Sequence, residues 1–151
     1  MTLSLQQVSD RIEIDDLLVR YTRAIDEKDW ALLDTVFVPD ADIDYTTSGG
    51  IAGKYPEVRE WLGKALAAFP ITIHAITNST IELEGDRAKG RTLVNNPMVI
   101  PQEGGGQTQF TVWAWYVDEL VRTDDGWRIA KRFEEQVFVE GGPPAGHEIH
   151  K

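Results

Sequence analysis

Residues 108–139, TQFTVWAWYVDELVRTDDGWRIAKRFEEQVFV, contain two long segments in which apolar residues alternate with other residues. Alternation with a period of two is typical of β-strands, and the sequence DDG at 124–126 is typical of a tight turn between strands. The stretch therefore predicts two antiparallel strands, over residues 108–122 and 127–139.

The same alternation appears earlier, in residues 71–84 and 87–100. The connections on either side of residues 87–100 are short, and short connections join strands that lie next to each other with opposite directions. The second half of the chain is therefore predicted to be a four-stranded antiparallel meander.

Upstream of Pro70, apolar residues recur every three to four positions, as they do in amphipathic helices. This spacing predicts a long helix over residues 5–25, with Ser9 as a candidate N-cap, and a short second helix over residues 29–36. A third helix is predicted to begin at Pro56 and to end before Pro70.

Pro39 is predicted to end the second helix, and a short strand over residues 41–45 is followed by a Gly-rich loop over residues 46–53. Helices first and a meander afterwards indicate an α+β fold, a cone-shaped curved antiparallel sheet wrapped by three N-terminal helices. We expect one domain over residues 1–140 and a C-terminal tail over residues 141–151, whose Gly and Pro residues cannot continue a strand.

The composition excludes several functional classes. The 151 residues include 25 Asp and Glu against 15 Lys and Arg, which gives a formal net charge of -10. This charge repels nucleic acids and anionic membrane surfaces, so neither is expected as a partner.

The chain has no cysteine, which excludes disulfides and thiol chemistry. Because it also lacks a signal sequence and an apolar run of ~20 residues, we expect a soluble, cytoplasmic protein.

A curved sheet half covered by helices leaves a concave face that its own side chains cannot fill, so a pocket is expected there. His74 lies in the first long strand among apolar residues, where an imidazole needs a partner. The best candidate is Asp26 at the end of the first helix, where a carboxylate opposes the helix dipole. Two alternatives remain. His74 can be a core histidine that bonds to a backbone carbonyl, and Asp26 can instead cap the next helix.

Further residues are candidates for the same cavity. Tyr21 lies just over one helical turn before Asp26, and Tyr45 ends the short strand; each is either a proton donor or a core aromatic with a polar tip. Arg132 has parity opposite to Trp127 in the last strand, so it either binds a carbonyl or leaving group in the cone or points to solvent. The predicted amide and aromatic lining consists of Asn96, Trp115 and Tyr116.

The pattern of these residues resembles the SnoaL-like domains of the nuclear transport factor 2-like superfamily over residues 12–139. The resemblance is carried by Tyr21-x4-Asp26-x2-Asp29-Trp30, Phe37-x2-Asp40-Ala41, Asp44-Tyr45, Thr72-Ile73-His74-x3-Asn78, Gly85-Asp86-x-Ala88, Asp125-Gly126-Trp127-Arg128-Ile129 and Lys131-Arg132. It implies an α+β cone. It also implies similarity to scytalone dehydratase, bile acid 7α-dehydratase and hexachlorocyclohexane dehydrochlorinase, which are cofactor-free lyases built on an Asp–His dyad.

The resemblance implies roles for individual residues. Asp26 and His74 match the dyad, Tyr21 and Tyr45 match tyrosines of the bile acid enzyme, and Arg132 matches an arginine of the dehydrochlorinase. Three positions depart from these enzymes, so none of their substrates is carried over to this chain. Tyr21 stands where the dehydrochlorinase has a lysine, Met98 replaces the second histidine of scytalone dehydratase, and Asn96 falls where the bile acid enzyme has an aspartate. Both Met98 and Asn96 are predicted to contact the substrate.

These observations predict a cofactor-independent lyase, a dehydratase that acts on a small, apolar, cyclic hydroxylated ketone or polyketide-like molecule. One alternative is an isomerase or cyclase with the same base, and another is a non-catalytic ligand-binding or dioxygenase small subunit. No metal is expected, because one histidine with one aspartate is too small a ligand set, and the Gly- and Pro-rich tail that contains residues 147–150 is not expected to preset a geometry. The resemblance also implies a homo-oligomer, with a trimer favoured.

Overall fold

The computed structural model describes residues 2–142, and the predicted tail lies outside these residues except for Gly141 and Gly142. Three helices occur in the first half of the chain: α1 (Leu5–Asp26), α2 (Trp30–Leu33) and α3 (Tyr55–Ala65), the last followed by a 3-10 turn at Leu66–Ala68. None of the helices in the described part of the chain is long and apolar enough to cross a membrane.

Seven strands form one curved, open sheet. They are β1 (Phe37–Asp44), β2 (Ala52–Lys54), β3 (Ile71–Thr72), β4 (Ala75–Glu84), β5 (Arg87–Pro101), β6 (Gln107–Thr123) and β7 (Gly126–Glu140). The order across the sheet is β2-β1-β7-β6-β5-β3, and β4 also pairs with β5. The antiparallel meander over β4 to β7 confirms the predicted α+β class, whereas β1 pairs with β7 in parallel.

The first helix begins earlier than its predicted cap. Ser4, rather than Ser9, is the N-cap: its hydroxyl accepts a hydrogen bond from the Gln7 amide at 3.1 Å, and the Gln7 side chain accepts one from the Ser4 amide at 2.8 Å. This reciprocal pair is a capping box. The helix packs its buried stripe against the sheet, with Ile14, Leu17, Leu18 and Ile25 on the helix and Leu120, Trp127 and Ile129 in the core that they join.

Two predicted segments differ from the structure. The second helix ends at Leu33, and residues from Phe37 onward form β1, so Pro39 lies within a strand. The strand tolerates this proline because its pairing with β7 is interrupted between Phe37 and Asp42. The predicted strand over residues 71–84 is divided into β3 and β4 at Ile73 and His74. The Ile73 amide still donates a hydrogen bond to the Pro97 carbonyl of β5 at 3.1 Å, but Pro97 has no N–H with which to return it.

Two irregularities change which side chains face the interior. Asn78 has a positive φ of 46°, and the register of β4 shifts between Thr77 and Thr80. In β7 an extra residue, Ala130, lies between Ile129, which pairs with Leu120, and Lys131, which pairs with Glu119. Because a bulge reverses the alternation, the residues after Ala130 have the opposite parity from those before it.

A buried carboxylate ties α1 to the β6–β7 hairpin. Asp10 is 3% exposed, and its carboxylate accepts hydrogen bonds from Arg122 at 2.7 and 2.8 Å, from the Trp127 indole at 3.2 Å and from Gln6 at 2.9 Å. The hydrogen bonds from Arg122 lower the pKa of Asp10 to about 2. The ionised form is therefore the one that the folded chain stabilises.

This carboxylate predicts an acid-dependent loss of stability. A pKa that is lowered on folding contributes stability above the unfolded value, and this contribution disappears as the pH falls towards about 2. In urea unfolding at pH 5, Asp10→Asn should cost about 2 kcal/mol, and the difference from the wild type should shrink at pH 2.5. Asp15→Asn, an exposed position on the same helix, is the control. A penalty for Asp10→Asn that is the same at both pH values would contradict this role.

Candidate active site

The fold brings Asp26 and His74 together. His74 Nδ1 lies 2.6 Å from Asp26 Oδ1, and the backbone amide of His74 donates a hydrogen bond to Asp26 Oδ2 at 2.9 Å. The carboxylate therefore holds both the ring and the main chain of His74, in the short interval between β3 and β4. The His74 side chain is 6% exposed. With Nδ1 occupied by the carboxylate, Nε2 is the ring nitrogen available to a ligand.

The turn after α1 explains why Asp26 is free for this task. Lys28 adopts a positive φ of 54°, and the Asp29 amide bonds back to the Ala24 carbonyl at 2.8 Å. Asp29 then caps α2, because its side chain accepts a hydrogen bond from the Leu32 amide at 2.9 Å. The alternative in which Asp26 caps the second helix is therefore wrong.

His74 lines a cavity of about 300 Å³ between the helices and the inner face of the sheet. This volume is at the lower end of the range for small-molecule sites, roughly 300–1,000 Å³. The cavity walls are largely apolar, with contributions from α3, the 3-10 turn after it and strands β5 and β6. The polar side chains that reach the cavity are those of Tyr21, Tyr45, Ser48, His74, Asn96, Tyr116 and Glu134.

Three tyrosines form one side of the cavity. The hydroxyls of Tyr21 and Tyr45 are 2.9 Å apart and share a hydrogen bond, and the rings of Tyr21 and Tyr116 meet edge to face at 5.5 Å. Burial raises the pKa of each of the three phenols above its usual value of 10. The three side chains therefore stay protonated and can act as hydrogen-bond donors.

Asn96 and Met98 also line the cavity, as does Tyr116. The Thr72 hydroxyl donates a hydrogen bond to Asn96 Oδ1 at 3.0 Å, which leaves the amide nitrogen as a donor for a ligand. The prediction that Trp115 joins them is wrong. Adjacent residues in a regular strand point to opposite faces, and Trp115 lies on the outer face with the Arg91 guanidinium 3.8 Å from its ring.

Arg132 points to the interior, but it lies behind the tyrosines. Its guanidinium is fully buried and bonds to both oxygens of Asp118, at 2.8 and 2.7 Å. It lies 4.1 Å from the Tyr21 ring centre and 4.0 Å from that of Tyr116. Since it is not among the side chains that line the cavity, the predicted direct contact with a ligand is wrong, and the residue positions the tyrosines instead.

Glu134 is a cavity residue that the sequence reasoning missed. It lies two positions after Arg132 on the same face of β7, because both residues follow the bulge at Ala130. The signal that could have revealed it is this shared parity: if Arg132 points inward, Glu134 does too. Among residues 2–142, the structure brings together no group of three or more His, Asp or Glu side chains that could hold a metal ion.

The SnoaL-like domain family matches this chain over residues 6–133. The chain belongs to the SnoaL-like family. Its resemblance to the nuclear transport factor 2-like fold, predicted from the motifs, is thereby confirmed. A similar SnoaL-like chain is the uncharacterized protein Rv2910c of Mycobacterium tuberculosis, which is 45% identical over 136 residues, or 90% of this chain and 91% of that protein.

Two solved structures are similar to this SnoaL-like domain. Kfla4162 from Kribbella flavida is 30% identical, with a TM-score of 0.80 over 87% of this chain and 93% of that one. The hexachlorocyclohexane dehydrochlorinase LinA-type3 from Novosphingobium barchaimii is 25% identical, with a TM-score of 0.76 over 94% of each chain.

Proposed function

We propose that this protein is a cofactor-independent lyase, a dehydratase that acts on a small cyclic hydroxylated ketone or polyketide-like molecule. The observation that carries the proposal is the pairing of Asp26 with His74 at the wall of an apolar cavity. Membership of the SnoaL-like family supports a lyase or isomerase type of enzyme. The name of the similar LinA-type3 protein denotes an elimination, which is also lyase chemistry.

The dyad supplies the base. Nε2 of His74 removes a proton from the carbon next to the substrate carbonyl, and the imidazolium that forms keeps its Nδ1 hydrogen bond to Asp26. The carboxylate holds the productive tautomer before the reaction and stabilises the positive charge afterwards. Its second oxygen is held by the His74 amide, so the pair is preorganised.

The tyrosines supply the electrostatic stabilisation. As negative charge develops on the carbonyl oxygen, the hydroxyl of Tyr45 or Tyr21 donates a hydrogen bond to it, while the other hydroxyl supports the donor. The buried guanidinium of Arg132 lies against the Tyr21 ring and holds it in place. Apolar walls exclude water, which strengthens these hydrogen bonds.

Two probes test the proposal. A cyclic ketone without a leaving group, 2-tetralone, should exchange its α-protons for deuterium in D₂O faster with the protein than with buffer. A cyclic β-hydroxy ketone, 3-hydroxycyclohexanone, should yield a product lighter by one water, which mass spectrometry detects. His74→Ala is the control for both reactions. If a panel of cyclic ketones that fit the cavity shows neither exchange nor elimination above this variant, the proposal is wrong.

The Tyr21–Tyr45 pair favours a second candidate. An enolate held by these hydroxyls can be protonated at another carbon without losing a group, which is the reaction of an isomerase. Proton exchange occurs in either case. The mass of the product separates the two functions, because an isomerase leaves the mass of its substrate unchanged.

Loss of one oxyanion donor should have an intermediate effect. Tyr45→Phe should lower kcat for proton exchange on the order of 10²-fold, because Tyr21 and Tyr116 remain in the cavity. The matched control is Tyr55→Phe, which removes a hydroxyl that bonds to Asp34 outside the cavity. Equal activities of the two variants would show that the Tyr45 hydroxyl does not act on the substrate.

We also propose that the protein forms a homo-oligomer, with a trimer favoured by its resemblance to the dehydratases. The outer face of the sheet exposes Val117, Val137 and Phe138, at 36%, 54% and 50%, and Phe138 stacks on Trp113. Oligomerisation is a common way to cover such a surface.

Light scattering at micromolar concentration should give a mass above that of one chain, and Phe138→Glu should lower this mass. Ile12→Glu, an exposed apolar position on α1, is the control. A wild-type protein of monomer mass would contradict the proposal.

A further inference from the structure

Glu134 brings a second titratable group into the cavity that contains His74. The residue is 8% exposed, and it lies on the inner face of β7 directly opposite Tyr116 of β6. Its side chain lines the cavity. The site therefore contains two ionisable side chains, His74 between β3 and β4 and Glu134 on β7.

Glu134 is buried without an ion-pair partner among the described residues. Arg132, on the same face of β7, uses Nε and Nη2 to bond to both oxygens of Asp118, so its charge acts on Glu134 only through space. No Lys or Arg within residues 2–142 forms an ion pair with Glu134. The other polar side chains that line the cavity are the hydroxyls of Ser48, Tyr45, Tyr21 and Tyr116, the Asn96 amide, and His74, which bonds to Asp26 behind it.

A buried carboxylate without a cation is costly, so such a group tends to hold a proton. Burial raises the pKa of Glu134 to about 7, although the positive charge of Arg132 and the Ser48 hydroxyl oppose this shift. At neutral pH and below, a large share of the molecules therefore has a carboxylic acid in the cavity. A carboxylic acid can donate a proton, which an ionised carboxylate cannot do.

We propose that Glu134 is the general acid of the site, which protonates the departing hydroxyl oxygen while His74 removes the proton from carbon. This inference rests on the proposed lyase function. Two electrons of the C–H bond form the C=C bond, the C–O bond breaks, and the oxygen leaves as water with the proton of Glu134. His74 ends as an imidazolium and Glu134 as a carboxylate, and a proton passes between them through the released water or solvent to restore the starting state.

The protonation state is measured without any substrate. In protein labelled with ¹³C at the Glu carboxyl carbons, the Glu134 signal is the one that disappears in Glu134→Gln, and Glu135→Gln identifies the signal of the exposed neighbour. The Glu134 signal should titrate with a midpoint near 7. A Glu134 signal that is fully ionised between pH 5 and pH 8 would overturn the proposal.

A pair of substrates tests the acid role itself. Hydroxide is a poor leaving group that needs a proton, whereas acetate leaves without one. Glu134→Gln should therefore slow elimination from 3-hydroxycyclohexanone by about 10²-fold. Elimination from 3-acetoxycyclohexanone and α-proton exchange should change by less than about threefold. An equal loss on both substrates, or no loss on either, would overturn the proposal.

The two hypotheses fail in different ways. Wild-type protein that neither exchanges α-protons nor eliminates water contradicts the lyase proposal. The ¹³C titration then decides independently whether Glu134 carries the proton that the further inference requires. Wild-type protein that exchanges protons, together with a Glu134→Gln variant that eliminates hydroxide at full rate, contradicts only the role of Glu134. Circular dichroism of each variant confirms that the fold is retained.

Discussion

Replacement of His74 by alanine is expected to lower the rate of α-proton exchange from cyclic ketones on the order of 10⁴-fold, with the fold retained. Within residues 2–142, His74 is the one imidazole that lines the cavity, so the variant removes the base that accepts the proton from carbon. The rate is measured by NMR in D₂O, and far-UV circular dichroism checks the fold. A variant that keeps most of the exchange activity would show that the histidine is structural.

Asp26→Asn should have a similarly large effect for a different reason. The amide keeps the size of the carboxylate, but it can favour the wrong tautomer of His74 and it cannot stabilise the imidazolium. The comparable change in the Ser-His-Asp triad costs about 10⁴-fold in rate. Asp29→Asn, three residues away, is the control, because Asp29 caps α2 and does not bond to His74.

The double variant tests whether the two residues act as one unit. If they do, His74→Ala combined with Asp26→Asn should be hardly slower than His74→Ala alone, because the first change already disables the pair. A loss equal to the product of the two single effects would mean that Asp26 acts independently of His74, and the mechanism proposed for the dyad would then fail.

The largest effect on stability is expected from Asp118→Asn. Asp118 and Arg132 form a buried ion pair with side chains that are 1% and 0% exposed. Removal of one partner leaves an uncompensated charge in the interior, which costs about 3–5 kcal/mol of unfolding free energy. Denaturant titration measures this loss, which should also disturb Tyr21 and Tyr116, since Arg132 packs on both rings.

The adjacent residues provide a matched control. Glu119 and Lys131 pair on the outer face of the same two strands, with a separation of 3.7 Å and side chains that are more than half exposed. Glu119→Gln should therefore cost less than about 1 kcal/mol. If the two substitutions cost the same, the burial of the Arg132 pair does not determine its contribution.

A second control separates the charge from the packing. Asp118→Leu combined with Arg132→Met removes both charges and keeps apolar groups of similar length. Such replacements of buried ion pairs are often neutral or stabilising. The double variant should therefore be more stable than Asp118→Asn alone. If it is equally unstable, the loss comes from packing around the tyrosines rather than from an unpaired charge.

The order of helices and strands could be predicted from the sequence because it depends on local patterns. The helical spacing before Pro70 and the alternation after it predicted α1, α3 and the four-stranded meander, with boundaries that differ from the structure by a few residues. The dyad could also be named, because an isolated histidine among apolar residues needs a partner and because the motif resembles a known family. The element order requires only neighbours in sequence, whereas the pairing of Asp26 with His74, 48 residues apart, also required the resemblance to the family.

The tertiary structure decided which side chains face the cavity. The bulge at Ala130 turns Arg132 and Glu134 inward, and it is defined by the pairing of β7 with β6 rather than by any residue preference in the strand. The fold also places Arg132 behind the tyrosines, because its guanidinium forms hydrogen bonds to Asp118 on the neighbouring strand. Sequence alternation predicts faces only for an unbroken strand. Pairing with distant residues determines where the alternation is interrupted, and therefore which polar groups meet in the site.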